Sequence, residues 1–450
     1  MIKKLIYLFF FLILSLVTGC SFDNKTGIWD GSESEKARIF DIKKKQENIN
    51  EVVKIYSSEN LYNKELDLNK TVTLSEPQKN SSWEMPVFNL QNSLKHFYIS
   101  GYENNFLKKK IGKNKFSISK NISSPLIFDD NIIFADDTGT IFNINKRGKI
   151  NWKTNVYKKL YKNIYKVLTF SVYKNKIYFA DNIGFIYKMN VDNGEVEWVK
   201  KHGVPIKSKI KIFENKIFLI NQDNRLISLN TNDGSLIWDI RSVSSFIKSQ
   251  SLLSSSISKK GDLLVLYSSG DLVKIKTQNG RIYWTLGTLG SLYAHDTDFY
   301  ESSDIVIIDD QIILSTSQST LSFNLENGQL NWESEAGSTN TPIINKNNIF
   351  LVTDNGFFVV LDRKDGKVIR STKVLKVLKK KNQNTRIAGY ILGSSKLYIV
   401  TVNGYLIVTS AINGKVESVK KISDKINADP IISNGELYIL TENSKILAYR

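Results

Sequence analysis

The strongest constraint on this chain is a turn glycine followed four positions later by tryptophan, a device that returns along most of the sequence. Gly148 goes with Trp152, Gly194 with Trp198, Gly234 with Trp238, Gly280 with Trp284 and Gly328 with Trp332. Copies at Gly366 and Gly414 keep the turn but carry Arg370 and Ser418 in the tryptophan position. Successive glycines lie 38 to 48 residues apart. A period of this size with strand-like contents marks a propeller, a β-helix or a related array.

One repeat, residues 176–198, shows why the contents are strands. Lys-Ile-Tyr-Phe-Ala is a short apolar and aromatic run, turn residues follow at 181–184, and Glu-Val-Glu-Trp alternates strictly. Period-two alternation of β-branched and aromatic residues between Gly, Asn and Asp is a strand signal. Asn-Gly and Asp-Gly suit a two-residue type I′ turn, so each repeat is expected to close in such a hairpin. With an inner strand near Pro125–Ile127 or Pro342–Ile344, each unit holds four strands, as one blade of a β-propeller does.

Seven complete units end at the turn glycines, and residues 430–450 supply three strands of another. The expected fold is therefore all-β, an eight-bladed propeller of four-stranded antiparallel blades. Seven blades remain possible if one weak unit is an insertion. The ring is expected to close through an N-terminal strand at Ser81–Val87, whose Trp83 stands in a context like a blade end; closure removes an open sheet edge. Trp83, Trp152, Trp198, Trp238, Trp284 and Trp332 are read as structural residues that dock one blade on the next, since equivalent outer positions point away from the axis.

Three segments organise the chain: 1–19, 20–80 and 81–450. Residues 1–19 read as an export signal, with Lys3 and Lys4 before a short apolar run. Leu-Val-Thr-Gly-Cys at 16–20 resembles a bacterial lipobox, which makes Cys20 the expected lipidation site. It is the only cysteine, so no internal disulfide is available. Residues 20–80 read as a tether, with helical spacing of apolar residues over 35–60 and an extended linker over 71–82. The propeller is assigned to 81–450.

The formal charge of +18 would suggest nucleic acid in a cytoplasmic protein, but export argues against that partner. The dense runs Lys108–Lys110 and Lys379–Lys381 are expected in solvated loops, with weak attraction to anionic headgroups as a second reading. His96, His202 and His295 are scattered without metal-ligand spacing. No phosphate-binding loop or nucleophile elbow occurs. Asp136, Asp137, Asp181 and Asp354 are explained by turn chemistry between second and third strands, with calcium as a second choice. No catalytic, cofactor or metal residue is assigned, and the chain is not read as an enzyme.

Endings such as Gly-Lys-Ile-Asn-Trp and Gly-Glu-Val-Glu-Trp resemble the repeats of the PQQ-like propeller superfamily. The total plan of lipobox, tether and eight-blade array ending in Ala448-Tyr449-Arg450 is similar to the BamB family, the lipoprotein propellers of the outer-membrane β-barrel assembly machinery. That resemblance implies a cofactor-free scaffold on the periplasmic side of the outer membrane, which binds the POTRA domains of the central barrel protein and assists outer-membrane protein insertion. It further implies docking through loops 242–253 and 294–303, giving Phe246, Ile247, Lys248, Asp298 and Glu301 as candidate partner-binding residues. One alternative is a quinoprotein-like oxidoreductase, a branch that holds pyrroloquinoline quinone and calcium on the propeller axis. Another is a lipoprotein propeller for a different periplasmic ligand, such as a glycan or peptide.

Overall fold

The computed structural model describes residues 62–116, 123–242, 252–287 and 302–450. Over these residues the chain forms eight antiparallel blades arranged as a propeller. The first blade runs from the inside outward as Leu126–Phe128, Asn131–Ala135, Thr140–Asn145 and Ile150–Asn155. The next six blades occupy 168–201, 211–241, 255–287, 306–334, 343–373 and 387–421. In the first blade the two middle strands are almost wholly buried, whereas the outer strand is mostly exposed; most other blades follow, but the outer strand of the sixth, Val368–Lys373, is covered. This is the pattern of a sheet packed on both faces by neighbouring sheets and wetted only at its rim.

The eighth blade has inner strands Ile431–Ser433, Glu436–Leu440 and Lys445–Tyr449. Its outer strand is Asn105–Lys110, paired antiparallel with Lys445–Tyr449. An N-terminal strand thus closes the ring, as expected, but it is not Ser81–Val87. Lys108–Lys110 accordingly lie on a strand and not in a loop. Lys379–Lys381 do lie in a loop, which contains the short 3-10 turns Val374–Val377 and Lys380–Asn382.

The repeated glycine and tryptophan meet across blade boundaries. A Cβ on Gly194 would fall 2.5 Å from Cε3 of Trp152, one blade earlier, and that indole donates to the Val191 carbonyl at 2.8 Å. Trp198 and Trp238 repeat the bond, to Thr231 and Thr277. Where Arg370 replaces tryptophan, it lies against Gly414 and donates to the Ile412 carbonyl. At the closing boundary Gly148 instead meets Leu107 and Lys109, whose Nζ donates to the Gly148 carbonyl at 3.0 Å.

The glycine turns are not two-residue type I′ turns. In the second blade the Asn190 side chain accepts from the Asp192 amide, the Gly194 amide bonds back to the Asn190 carbonyl, and only glycine has positive φ. A four-residue loop results, followed by a bulge before Trp198. Left-handed pairs sit instead between first and second strands, at Asp129-Asp130, Lys174-Asn175, Glu214-Asn215, Ser394-Ser395 and Asn434-Gly435. The short reach there favours the primed twist.

Antiparallel order gives the ring two faces. One carries the hairpins between first and second and between third and fourth strands. The other, the loop face below, carries the turns between second and third strands and the connections from blade to blade.

Candidate functional site

Residues 62–110 take an unexpected path. The carbonyl of Tyr62 accepts from Asn355 on the loop face of the sixth blade, and Leu66–Asp67 adds a fifth strand to that blade. Asp67 pairs with Arg370 at 3.0 Å. The chain then crosses the hairpin face, where Ser75 donates to the Asn345 side chain at 2.8 Å, and enters the axis. Residues 62–82, read from sequence as the end of the tether and the linker, are therefore part of the packed structure.

Residues 75–100 fill the axis and bond to the inner part of all eight blades. Trp83 exchanges backbone hydrogen bonds with Ile127 of the first blade, and Glu84 accepts from Val172 of the second. Leu90 and Gln91 accept from Ile257 and Ile307 of the fourth and fifth. Phe97 bonds with Leu392 and Ser394 of the seventh, and Asn80 with Ile432 and Asn434 of the eighth. Ser75 reaches the sixth, and the third contributes Lys211. An inner strand exposes one row of unpaired backbone groups, and this irregular segment satisfies them where a ninth sheet could not fit.

Trp83 is thus an axial residue and not a blade-docking one. It is 2% exposed and packs against Phe88 and Phe97 with ring centroids 5.1 and 5.5 Å away. Nearby, Val87 and Phe88 both adopt left-handed φ, +58° and +71°, which side chains other than glycine rarely tolerate. Lys211 holds this turn in place. Fully buried, it donates to the Asn89 carbonyl at 2.8 Å and to Asn92 Oδ1 at 2.6 Å. Burial lowers its pKa to about 7. Asn92 in turn donates to Ser255 and Ile305, tying the fourth and fifth blades together.

Beside this plug is a polar cluster drawn from distant blades. Lys209 pairs with Asp304 at 2.6 Å, and Thr341 donates to the same carboxylate at 2.8 Å. Burial opposes both charges, but each outweighs it for the other: Lys209 is pushed up, helped by Asp429, and Asp304 is pulled down. Asp429 lies at the exposed edge of this cluster, and the protein packed around it raises its pKa. A carboxylate held low by a lysine is a poor general base for Thr341. Among the described residues no group of three or more His, Cys, Asp or Glu is placed to hold a metal ion.

Among the described residues, the cavity beside Trp83 is too small for the quinone of the oxidoreductase alternative. The space between Trp83, Leu94, Tyr390 and Asp429 is a cavity of about 20 Å3. Pockets for ligands of drug size start at roughly 300 Å3.

Trp152, Trp198, Trp238, Trp284 and Trp332 stand where the repeat put them, on outer strands. Cys20, Phe246, Ile247, Lys248, Asp298 and Glu301 lie outside the described residues. Asp136 and Asp181 cap their turns as expected, each Oδ1 accepting backbone amides. Sequence reading missed the plug, Lys209, Lys211, Asp304 and Asp429. One signal was present: Lys211 occupies the register that Leu126, Val306, Ile343 and Ile431 fill in other blades.

Comparison with known proteins agrees with the architecture. The chain is 22% identical over 195 residues to outer membrane protein assembly factor BamB of Yersinia pestis, covering 43% of this chain and 49% of that protein. It is 20% identical over 199 residues to the protein of the same name from Shewanella oneidensis, with the same coverage. The chain therefore spans about half the length of the curated relatives it matches. The crystal structure of BamB from Moraxella catarrhalis superposes with a TM-score of 0.61 at 12% identity, over 76% of this chain and 100% of that one. Quinohemoprotein alcohol dehydrogenase from Comamonas testosteroni superposes with a TM-score of 0.64 at 11% identity, over 83% and 81%. Both structural likenesses are to the fold alone. A family model described as outer membrane protein assembly factor BamB matches residues 137–372, more than half of the sequence, and the chain belongs to that family.

Proposed function

We propose that this protein is a non-enzymatic scaffold of the outer-membrane β-barrel assembly complex. In this reading Cys20 carries lipid, the propeller faces the periplasm, and it binds the POTRA domains of the central barrel protein to assist insertion of outer-membrane proteins. The observation that carries the non-enzymatic part is the axial plug, which occupies with backbone and aromatic side chains the place a quinone would need. Family membership supports the assembly role. The partner surface is assigned to loops 242–253 and 294–303, where Phe246, Ile247 and Lys248 supply an apolar pair beside a cation and Asp298 and Glu301 supply acids. Apolar anchors ringed by charge suit a docking patch.

Co-purification from detergent-solubilised membranes tests the partner. The barrel protein should accompany the wild type and be lost from Phe246→Ala/Lys248→Glu without a change in melting temperature. Retention of the partner by that variant would move the site elsewhere. Cys20→Ser should appear in the soluble fraction with its fold intact. Purified protein supplied with quinone and calcium should oxidise neither alcohols nor sugars; turnover would sink the scaffold reading.

A further inference from the structure

We infer that the loop face of the propeller rests on an anionic membrane surface, through two lysine-rich loops with aliphatic tips. The first, 156–166, reads Val-Tyr-Lys-Lys-Leu-Tyr-Lys-Asn-Ile-Tyr-Lys and links the first and second blades. The second, 374–386, reads Val-Leu-Lys-Val-Leu-Lys-Lys-Lys-Asn-Gln-Asn-Thr-Arg and links the sixth and seventh. Neither contains an acidic residue, and both belong to the same face by strand order.

Each loop is held in shape from beneath while its tip projects. In the first, buried Lys166 donates to the carbonyls of Tyr161 and Ile164, both at 2.5 Å, and Lys115 donates to the Lys162 carbonyl at 3.0 Å. Leu160 at the tip is 81% exposed. In the second, Val374 and Leu375 are buried, Gln383 donates to the Leu378 carbonyl at 2.8 Å, and Val377 is 45% exposed. Lys158, Lys159 and Lys162 surround one tip; Lys376 and Lys379–Lys381 surround the other, all exposed. Between the eighth and first blades, Lys113, Lys115, Lys159 and Lys162 line a groove of about 750 Å3.

Among the described residues the exposed acids of this face, such as Glu65, Asp223, Glu335, Asp424 and Asp429, lie outside both loops. Asp136, Asp137 and Asp181 are buried, and the first and last cap their own turns through backbone amides. Exposed acids such as Asp129, Asp130, Asp192, Asp233 and Asp309 sit at hairpins of the opposite face. The chain also enters the propeller on the lysine-bearing face, at Tyr62. A short aliphatic tip among lysines suits a bilayer interface, where the side chain enters the headgroup layer and each nearby cation adds to attraction for phosphate.

This inference deepens the membrane location proposed above but requires neither lipid anchor nor protein partner. The full chain carrying Cys20→Ser should co-sediment with phosphatidylglycerol–phosphatidylcholine vesicles, release in high salt, and ignore pure phosphatidylcholine. Lys159→Glu/Lys162→Glu and Lys380→Glu/Lys381→Glu should each weaken that partition on the order of tenfold or more, and Leu160→Asp should weaken it too. Lys364→Glu/Lys415→Glu, on the opposite face, should bind as the parent does. Thermal melts of these exposed variants exclude unfolding. Absent binding, equal binding to neutral vesicles, or full binding by the loop variants overturns the inference. If those variants keep the barrel protein on co-purification, the failure concerns the membrane face and leaves the scaffold reading standing.

Discussion

The indole of Trp332 covers Gly366 so closely that a Cβ on the glycine would lie 2.3 Å from Cε3 of the ring. The same indole donates to the Arg363 carbonyl at 2.9 Å. Tryptophan of one repeat and glycine of the next thus form a single contact. Its period in sequence is the period of the ring.

Removal of that ring should cost about 3–5 kcal/mol in Trp332→Ala, because Trp332 is the most buried of the outer-strand series. Gly366→Ala should also destabilise, through the ring clash and a left-handed φ of +70°. Urea unfolding of both variants measures the effects, and a loss under 1 kcal/mol in each would refute the inter-blade contact as a stabilising one.

Ring closure and the added edge strand should differ sharply. Leu107 is buried in the strand that closes the eighth blade, so Leu107→Asp should lower the melting temperature strongly by placing a charge in the core. Leu66 lies half-exposed on an outermost strand, and Leu66→Asp should change stability by less than about 1 kcal/mol. Similar losses would show that the ring does not depend on Asn105–Lys110.

Trp83→Ala tests the plug directly. A fully enclosed axial indole should be worth about 3–5 kcal/mol, and calorimetry should show the whole propeller melting earlier in one transition. Early loss of a local phase alone would mean that the plug folds apart from the ring.

Lys211 should make stability depend on pH. Burial lowers its folded pKa to about 7 from the ordinary 10.5, so between these values the unfolded chain binds more protons. Stability therefore rises as pH increases from 7 to 10 and is insensitive to this group below 7. Lys211→Met should remove that rise. Parallel curves for the two proteins in chemical denaturation would contradict it.

Asp429 has the opposite sign. Desolvation, with Asp304 adding and Lys209 opposing, raises its folded pKa above the ordinary 3.8. Stability is then lost as pH rises through the interval from 3.8 to the folded value. Asp429→Asn should melt higher than the parent at pH 7, with the difference vanishing below pH 4. A lower melting temperature at pH 7 would show that the carboxylate is stabilised in place.

By itself the sequence determined the four-strand unit and the inter-blade role of five tryptophans, and it pointed to eight blades while leaving seven open. Alternating burial and a turn glycine are local requirements, repeated often enough to be read without knowing what touches what. It also displayed the two lysine-rich stretches, but not that strand order places both on one face. Tertiary structure decided how the ring closes and what fills its axis. Ser81–Val87 has the composition of an outer strand, yet its Trp83 finds deeper burial beside Phe88 and Phe97, while plain Asn-Phe-Leu-Lys-Lys-Lys pairs with the C-terminal strand. That choice depends on backbone groups supplied by eight separate inner strands. Lys209, Asp304 and Asp429 likewise become one cluster only when blades far apart in sequence converge, and convergence on an axis leaves no periodic trace in the chain.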